Sequence, residues 1–281
     1  MSHKGSHLTR DDLESIEIRL LLEAVYQHYG YDFRKYARGS LRRRLWRRVD
    51  AEGCKTISGL QERVLHNPVA MDALLMDLSV NVTAMFRDPT FYMALRSRVI
   101  PILRTYPFIR VWIAGCSTGE EVYSMAIMLR EEGLLDRARI YATDINERVL
   151  ERAGDGVLPL NRMQTFTQNY LRAGGTTAFS EYYKADGDRA RVDNSLLDNV
   201  VFAHHNLVSD GSFNEFHLIV CRNVMIYFDK ELQDEVHDLL HDSLVNLGIL
   251  ALGNKESIHF SRIASRYEEL DPEEKIYRRI A

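Results

Sequence analysis

The sequence predicts an α/β protein in which an all-helical domain precedes a mostly parallel sheet. Three observations carry this. From Asp11 to about Asn81 apolar residues recur at helical spacing with no strand signal between them; from Arg110 onward short apolar runs alternate with helical stretches. One run, Val111-Trp112-Ile113-Ala114, passes through the small-residue turn Gly115-Cys116-Ser117-Thr118-Gly119 into Glu120-Glu121. Alternation of this kind joins parallel strands by crossover helices and places ligands beyond the strand C-termini.

In the first part, Ile16, Leu20 and Val25, with Ile18, Leu21 and Leu22, form a helical stripe stopped by Gly30. Leu41, Leu45 and Val49 make a second stripe, ended by Gly53. Leu60 and Val64 make a third, and Met71, Leu74, Leu75 and Leu78 a fourth that opens after Pro68. A helical domain is predicted over 11–87, and a linker helix, opened by Pro89, over 88–107. Residues 1–10 are polar, lack an apolar signal core and are set aside as a tail.

The second stripe is embedded in positive charge. Between Arg34 and Arg63 there are ten Lys/Arg against Asp50, Glu52 and Glu62, a balance of 10 − 3 = +7. On a helical wheel Arg43 and Arg47 lie opposite the apolar stripe, while Arg44 and Arg48 flank it. A solvated face accounts for many such runs. Here the patch sits in a chain of net charge −4, an asymmetry that points to an acidic partner surface. No aromatic interleaving or nucleic-acid motif accompanies it, so nucleic acid is not the expected partner.

In the second part, strands are predicted at Arg110–Ala114, Arg139–Ile145, Val200–His205, His217–Cys221 and Gly248–Gly253. Helices are predicted at Glu120–Glu132, Glu147–Ala153 and Lys230–Asn246, with a closing antiparallel pair at Tyr267–Leu270 and Ile276–Ile280. Residues 156–192 break the alternation with a helix and a hairpin around Asp186-Gly187-Asp188, read as a small β insert in a domain spanning 108–281.

Hydrophobic content of 46% and charged content of 27% are ordinary for a soluble globular chain. Three cysteines without a Cys-x-x-Cys pair suggest neither a disulfide framework nor a zinc site. No apolar run approaches the roughly 18 residues of a membrane helix. The expectation is a cytoplasmic protein without direct membrane insertion. Adjacent His204 and His205 on a strand point to opposite faces, so no metal site is read there.

The chemistry begins at two strand tips. The glycines of the small-residue turn, Gly115 among them, let the backbone come close to a ligand, and the following helix start offers unpaired N–H groups. Asp144, at the tip of the next strand, is placed to accept hydrogen bonds from ribose hydroxyls. The dinucleotide Gly-x-Gly-x-x-Gly and the phosphate-loop Gly-Lys-Ser/Thr are absent, which favours a nucleoside without a polyphosphate. S-adenosyl-L-methionine is the commonest such cofactor, and an antiparallel last strand beside a parallel set is the arrangement of class I, Rossmann-like methyltransferases.

Four blocks then carry a resemblance: Ser79-Val80-Asn81-Val82-Thr83-Ala84-Met85-Phe86-Arg87-Asp88; Ser117-Thr118-Gly119-Glu120-Glu121-Val122-Tyr123-Ser124; Ala142-Thr143-Asp144-Ile145; and Cys221-Arg222-Asn223-Val224-Met225-Ile226-Tyr227-Phe228. In this order the chain resembles the CheR-type chemotaxis receptor methyltransferases from about Ile16 onward. The resemblance implies methyl transfer from S-adenosyl-L-methionine to glutamate side chains on chemoreceptor cytoplasmic helices, leaving S-adenosyl-L-homocysteine, in a monomer. It implies that Asn81, Thr83 and Arg87 line the cofactor. Glu121 and Asp144 hold its amino-acid and ribose parts, Asn206 and Leu207 flank the adenine, and Gly115, Arg222 and Asn223 complete the site. Arg87 and Tyr227 match positions that place the acceptor carboxylate and the methyl group. The basic residues Arg43, Arg44, Arg47 and Arg48 would dock the receptor helices.

So sparse a catalytic set is chemically sufficient. A glutamate carboxylate, with a pKa of about 4.3, is already an ionised nucleophile at neutral pH, and a sulfonium is an activated leaving group, so neither a general base nor a metal is called for. The hairpin of the insert is short and has one glycine, so capture of a receptor C-terminal pentapeptide is not expected. Two other readings stand beside this one: a regulatory protein that binds S-adenosyl-L-methionine without turnover, and a methyltransferase for another substrate class. Arg222-Asn223-Val224-Met225 stands where amino-methylating DNA enzymes carry Asn/Asp-Pro-Pro-Tyr/Phe, which argues against nucleic acid.

Overall fold

The computed structural model describes residues 9–79 and 81–281, without the side chain of Arg10. Most of the expected tail and Val80 of the first block therefore lie outside the described residues. The chain divides into two units. One runs through Val80 and takes in Tyr227–Leu232; the other comprises Asn81–Ile226 and Gln233–Ala281.

The first unit holds α1 (Arg10–Tyr29), α2 (Arg38–Ala51), α3 (Ile57–His66) and α4 (Pro68–Leu78). Thr9 and Asp12 cap α1 reciprocally, and Gly30, at φ +79°, ends it. Asn67 caps α4, whose first residue, Pro68, lacks the N–H that would go unpaired there. Leu41, Leu45 and Val49 of α2 are buried, as are Leu60 and Val64 of α3 and Leu74 and Leu78 of α4. In α1 the Ile16–Leu20 line is not the buried face. Leu20 is 51% exposed, and Leu21, Leu22 and Val25 go inside. This helix carries apolar residues around most of its circumference, so spacing alone does not single out a face.

The second unit begins with α5 (Pro89–Ala94), a five-residue π turn (Leu95–Val99) and α6 (Ile100–Leu103). Pro101 has no N–H and its ring crowds the carbonyl four residues back, and the widened turn just ahead of it accommodates that conflict. Residues 81–107, expected to close the helical domain and act as a linker, instead contribute Phe86, Phe91, Tyr92, Leu95 and Val99 to the core of the sheet unit.

The strands are β1 (Ile109–Ala114), β2 (Ala138–Asp144), β3 (Val157–Pro159), β4 (Tyr183–Asp186), β5 (Arg189–Val192), β6 (Val200–His204), β7 (Phe216–Cys221), β8 (Leu244–Leu252), β9 (Tyr267–Asp271) and β10 (Ile276–Arg279). Between them lie α7 (Glu120–Glu131), α8 (Glu147–Asp155), α9 (Met163–Arg172) and α10 (Lys230–Asp242). The main sheet has the order β6-β2-β1-β7-β8-β10-β9. Its first five members are parallel; β10 runs antiparallel to both neighbours. The class I methyltransferase fold read from the sequence is the fold observed. The chain winds outward from β1 through β2 to β6 and returns to β7 on the other side of β1, which makes the C-terminal ends of β1 and β7 the switch point where ligands bind.

β8 starts four residues earlier than expected, because Leu244 pairs with Phe216 and a register shift then accommodates the turn in which Leu247 sits at φ +65°. The insert forms its own antiparallel sheet, β3-β5-β4. Phe179–Tyr182 is a 3-10 turn leading into β4, and β3 carried no sequence signal at three residues ending in proline.

Candidate active site

The site is built where β1, β2, β6 and β7 end. Gly115 stands at φ +75°, and a Cβ there would lie 2.4 Å from Val224 Cγ2. The glycine is thus required by protein packing, not only by ligand approach. The N–H groups of Gly115 and Cys116 both donate to the Thr143 carbonyl, at 2.8 and 2.9 Å, tying the end of β1 to the end of β2. Ser117, at φ +50°, donates its N–H to Asp144 Oδ2 at 2.9 Å, and Asn146 donates to Oδ1 at 3.0 Å. Burial pushes the Asp144 carboxyl up from the usual aspartate range, against the pull of the N–H groups of Asn146, Ser117 and Ile145. Ser117 Oγ donates to Asn81 Oδ1 at 3.3 Å, which brings Asn81 to the same turn.

On the β7 side, the Arg222 side chain is 2% exposed. It donates to Glu121 Oε1 at 2.8 Å and to Asp88 Oδ2 at 2.7 Å, with its guanidinium 3.9 Å from the centre of the Phe91 ring. Its Nη1 also lies 3.5 Å from the Arg87 carbonyl. Arg87 sits between two left-handed residues, Phe86 (φ +49°) and Asp88 (φ +56°), and donates to the Val82 carbonyl at 3.0 Å. The strain at Phe86 is held by its N–H bond to Ser124 Oγ at 2.8 Å and by burial of its ring beside Tyr92 and Tyr170. Asp88 is the ion-pair partner of Arg222.

At the end of β6, His205 donates its N–H to the Asp144 carbonyl at 3.2 Å. Asn206 is buried; its Oδ1 accepts from Val208 N–H at 3.0 Å, and Leu207 is half-buried beside it. Two buried polar atoms at these strand ends have no hydrogen-bond partner within the protein, His205 Nδ1 and Arg222 Nε. A recessed carboxylate, a buried guanidinium–carboxylate pair and unpartnered polar atoms suit a ligand with a ribose, an amino-acid end and ring nitrogens.

The second unit therefore gathers Asn81, Arg87, Gly115, Glu121, Asp144, Asn206, Leu207, Arg222 and Asn223 at one end of its sheet. Thr83 joins this unit through its carbonyl, which accepts from Arg162 Nη2. Tyr227 belongs to the helical unit. There the Arg44 guanidinium lies 4.6 Å from the centre of its ring, and Ala37 N–H donates to its carbonyl at 2.8 Å.

The basic cluster is corrected in one respect. Arg43 is exposed, and Arg47 is exposed while pairing with Asp77. Arg44 is buried, 6% exposed, and donates to the Leu78 carbonyl at 2.8 Å, so it is not part of a docking face. Its flanking position beside the Leu41–Leu45 stripe puts it at the α2–α4 seam. Arg48 is half-buried and pairs with Asp77 and Glu52. Sequence reasoning missed Asp88 and Glu256; the latter accepts backbone bonds in the turn after β7 and left no side-chain pattern to read.

Residues 81–272 match the family model for the CheR methyltransferase S-adenosylmethionine-binding domain, and residues 16–79 match that for the CheR methyltransferase all-alpha domain. A candidate methyltransferase of Pseudomonas putida, Cher3, is 51% identical over 97% of this chain and 100% of its own length. Chemotaxis protein methyltransferase 2 of Pseudomonas aeruginosa is 31% identical over 92% of this chain and 90% of its own. The chemotaxis protein methyltransferase of Salmonella typhimurium is 30% identical over 91% and 88%. The chain belongs to the CheR methyltransferase family and carries that family's S-adenosylmethionine-dependent methyltransferase domain.

Proposed function

We propose that the protein transfers a methyl group from S-adenosyl-L-methionine to glutamate side chains on the cytoplasmic helices of a chemoreceptor, forming methyl esters in the cytoplasm. The observation that carries this reading is the convergence of Asn81, Gly115, Asp144 and Arg222 at the C-terminal ends of β1, β2 and β7, in a chain of this family. When bound, the cofactor supplies a methyl group on a sulfonium, already activated for transfer. Asp144 would accept from the ribose hydroxyls, and Glu121, steadied by Arg222, would hold the amino-acid end. Asn206 and Leu207 would flank the base. Asn81, Thr83 and Asn223 would complete the lining.

Arg87 would orient the acceptor carboxylate. One charge-assisted contact suffices for that, since a tighter pairing would lower the nucleophilicity the reaction needs. Tyr227 would add a hydrogen bond without charge. Both are positioning groups, and holding the reactants in line while excluding water is where the rate comes from, up to about 7–11 kcal/mol in ideal cases. Arg43 and Arg47 would meet the acidic face of the receptor helices.

The test is methyl transfer from labelled S-adenosyl-L-methionine to chemoreceptor cytoplasmic fragments, followed by mild alkali. Label released as methanol establishes carboxyl methyl esters. Alkali-stable label would overturn the substrate assignment.

A further inference from the structure

Glu256 lies just past the end of β8, and its side chain is buried. Both of its oxygens are occupied by backbone donors. Oε2 accepts from Gly253 N–H at 2.7 Å and Asn223 N–H at 2.9 Å; Oε1 accepts from Val224 N–H at 2.9 Å and Met225 N–H at 2.8 Å. Three consecutive amides directed at one carboxylate form an anion-holding concavity, and here the protein supplies its own anion. Asn223, at φ +62°, makes the convergence possible, and asparagine tolerates that conformation better than most residues. Gly253 is fitted to the same arrangement: a Cβ there would lie 2.7 Å from Glu256 Oε2 and 3.0 Å from Asn223 N.

The turn held in this way reaches the nucleoside end of the site. Val224, between the two other anchored residues, occupies the place where a Cβ of Gly115 would stand. Gly115 and Cys116 in turn bond to Thr143, the residue before Asp144. Arg222, immediately ahead of the turn, pairs with Glu121. The carboxylate of Glu256 thus braces, from outside the site, the segment against which the β1 glycine turn is seated.

We propose that Glu256 is a positioning residue for cofactor binding: it fixes the Asn223–Met225 turn and, through Val224 and Arg222, the placement of the Gly115 turn and of Glu121. This rests on the reading of the strand ends as the S-adenosyl-L-methionine site. An amide cannot substitute for the carboxylate. Glu256→Gln replaces one acceptor oxygen by an NH2 that would face two backbone donors, breaking two bonds while keeping the volume.

The experiment measures S-adenosyl-L-homocysteine binding to the full chain by calorimetry at neutral pH, alongside far-UV circular dichroism and thermal unfolding. Glu256→Gln is expected to bind about tenfold or more weakly, a loss on the scale of unmade bonds to a charged group. Glu256→Asp, which keeps the charge on a shorter arm, should fall between it and the wild type. Gly253→Ala should weaken binding in the same direction by a smaller factor, and it decides the matter if Glu256→Gln does not fold. Wild-type affinity in a folded Glu256→Gln variant, or in Gly253→Ala, overturns the proposal even if the melting temperature drops. A wild-type protein that does not bind the nucleoside would overturn the underlying reading and this inference with it.

Discussion

Arg222 Nη1 donates to Glu121 Oε1 across 2.8 Å, joining the end of β7 to the first turn of α7. Burial alone would lower the arginine pKa, but Glu121, Tyr92 and Asp88 more than offset it, so the guanidinium is held charged. The carboxylate that would meet the cofactor's amino-acid end is therefore aimed by a fixed cation.

Removing that cation leaves Glu121 and Asp88 without their buried partner. Arg222→Ala is expected to lower unfolding free energy by about 3–5 kcal/mol in urea denaturation. Glu121→Gln, which leaves Arg222 its bond to Asp88, should cost less, about 1.5–3 kcal/mol. Equal losses would show that Asp88 contributes nothing to holding the guanidinium.

Asp144 gives a pH dependence. Its folded pKa is raised, so its contribution to the stability of the free protein is fully present below the ordinary aspartate value and is lost as pH rises through the raised one. Ribose hydroxyls need the ionised acceptor. Affinity for S-adenosyl-L-homocysteine should then weaken on acidification, starting above the ordinary aspartate range. Asp144→Asn should remove that dependence and bind about tenfold or more weakly. Calorimetry from neutral into acidic pH reads both; a variant with the wild-type profile would place the ribose elsewhere.

Arg87→Ala and Tyr227→Phe should lower turnover by about a hundredfold, with cofactor affinity changed less than about threefold, as expected for groups that place the acceptor. Parallel losses in both measurements would make them cofactor ligands only.

The basic helix divides into exposed and buried arginines. Arg43→Glu should weaken receptor-fragment binding, and the difference from wild type should shrink as salt screens exposed charge. Arg43 is the cleaner test, because reversing Arg47 would also set a carboxylate against Asp77. Arg44→Ala should act on stability instead, by about 1–3 kcal/mol, through the lost bond to the Leu78 carbonyl and the uncovered Tyr227 ring. Unchanged receptor affinity in Arg43→Glu would return that face to solvent.

What could be read in advance followed from local chemistry. Continuous apolar runs gave the five parallel strands, and Asp144 at a strand tip and Gly115 in a turn were visible from type and position. The rest depends on distant partners. β3 exists because β5 pairs with it. Arg44 is buried because Leu78 offers a carbonyl, and Phe86 and Tyr92 join the sheet unit because their rings pack on each other, and Phe86 on Tyr170, in its core. Glu256 was invisible because its partners are main-chain amides, which every sequence has.

The position of β7 beside β1 also sets a schedule for synthesis. Gly115 and Arg222 are separated by 222 − 115 = 107 residues, so at about 5–20 residues per second the central strand waits roughly five to twenty seconds for its neighbour to be made. For most of that interval only β1 and β2 can pair, with β6 joining them shortly before β7 is made, since β6 ends at His204 and β7 begins at Phe216, and the β7-facing edge of β1 stays uncovered throughout. Arg222 and Asn223, which follow β7, are not yet in place at that stage, so the cluster at the strand ends is still incomplete. Chaperone dependence in this protein should therefore concentrate on chains stalled before β7.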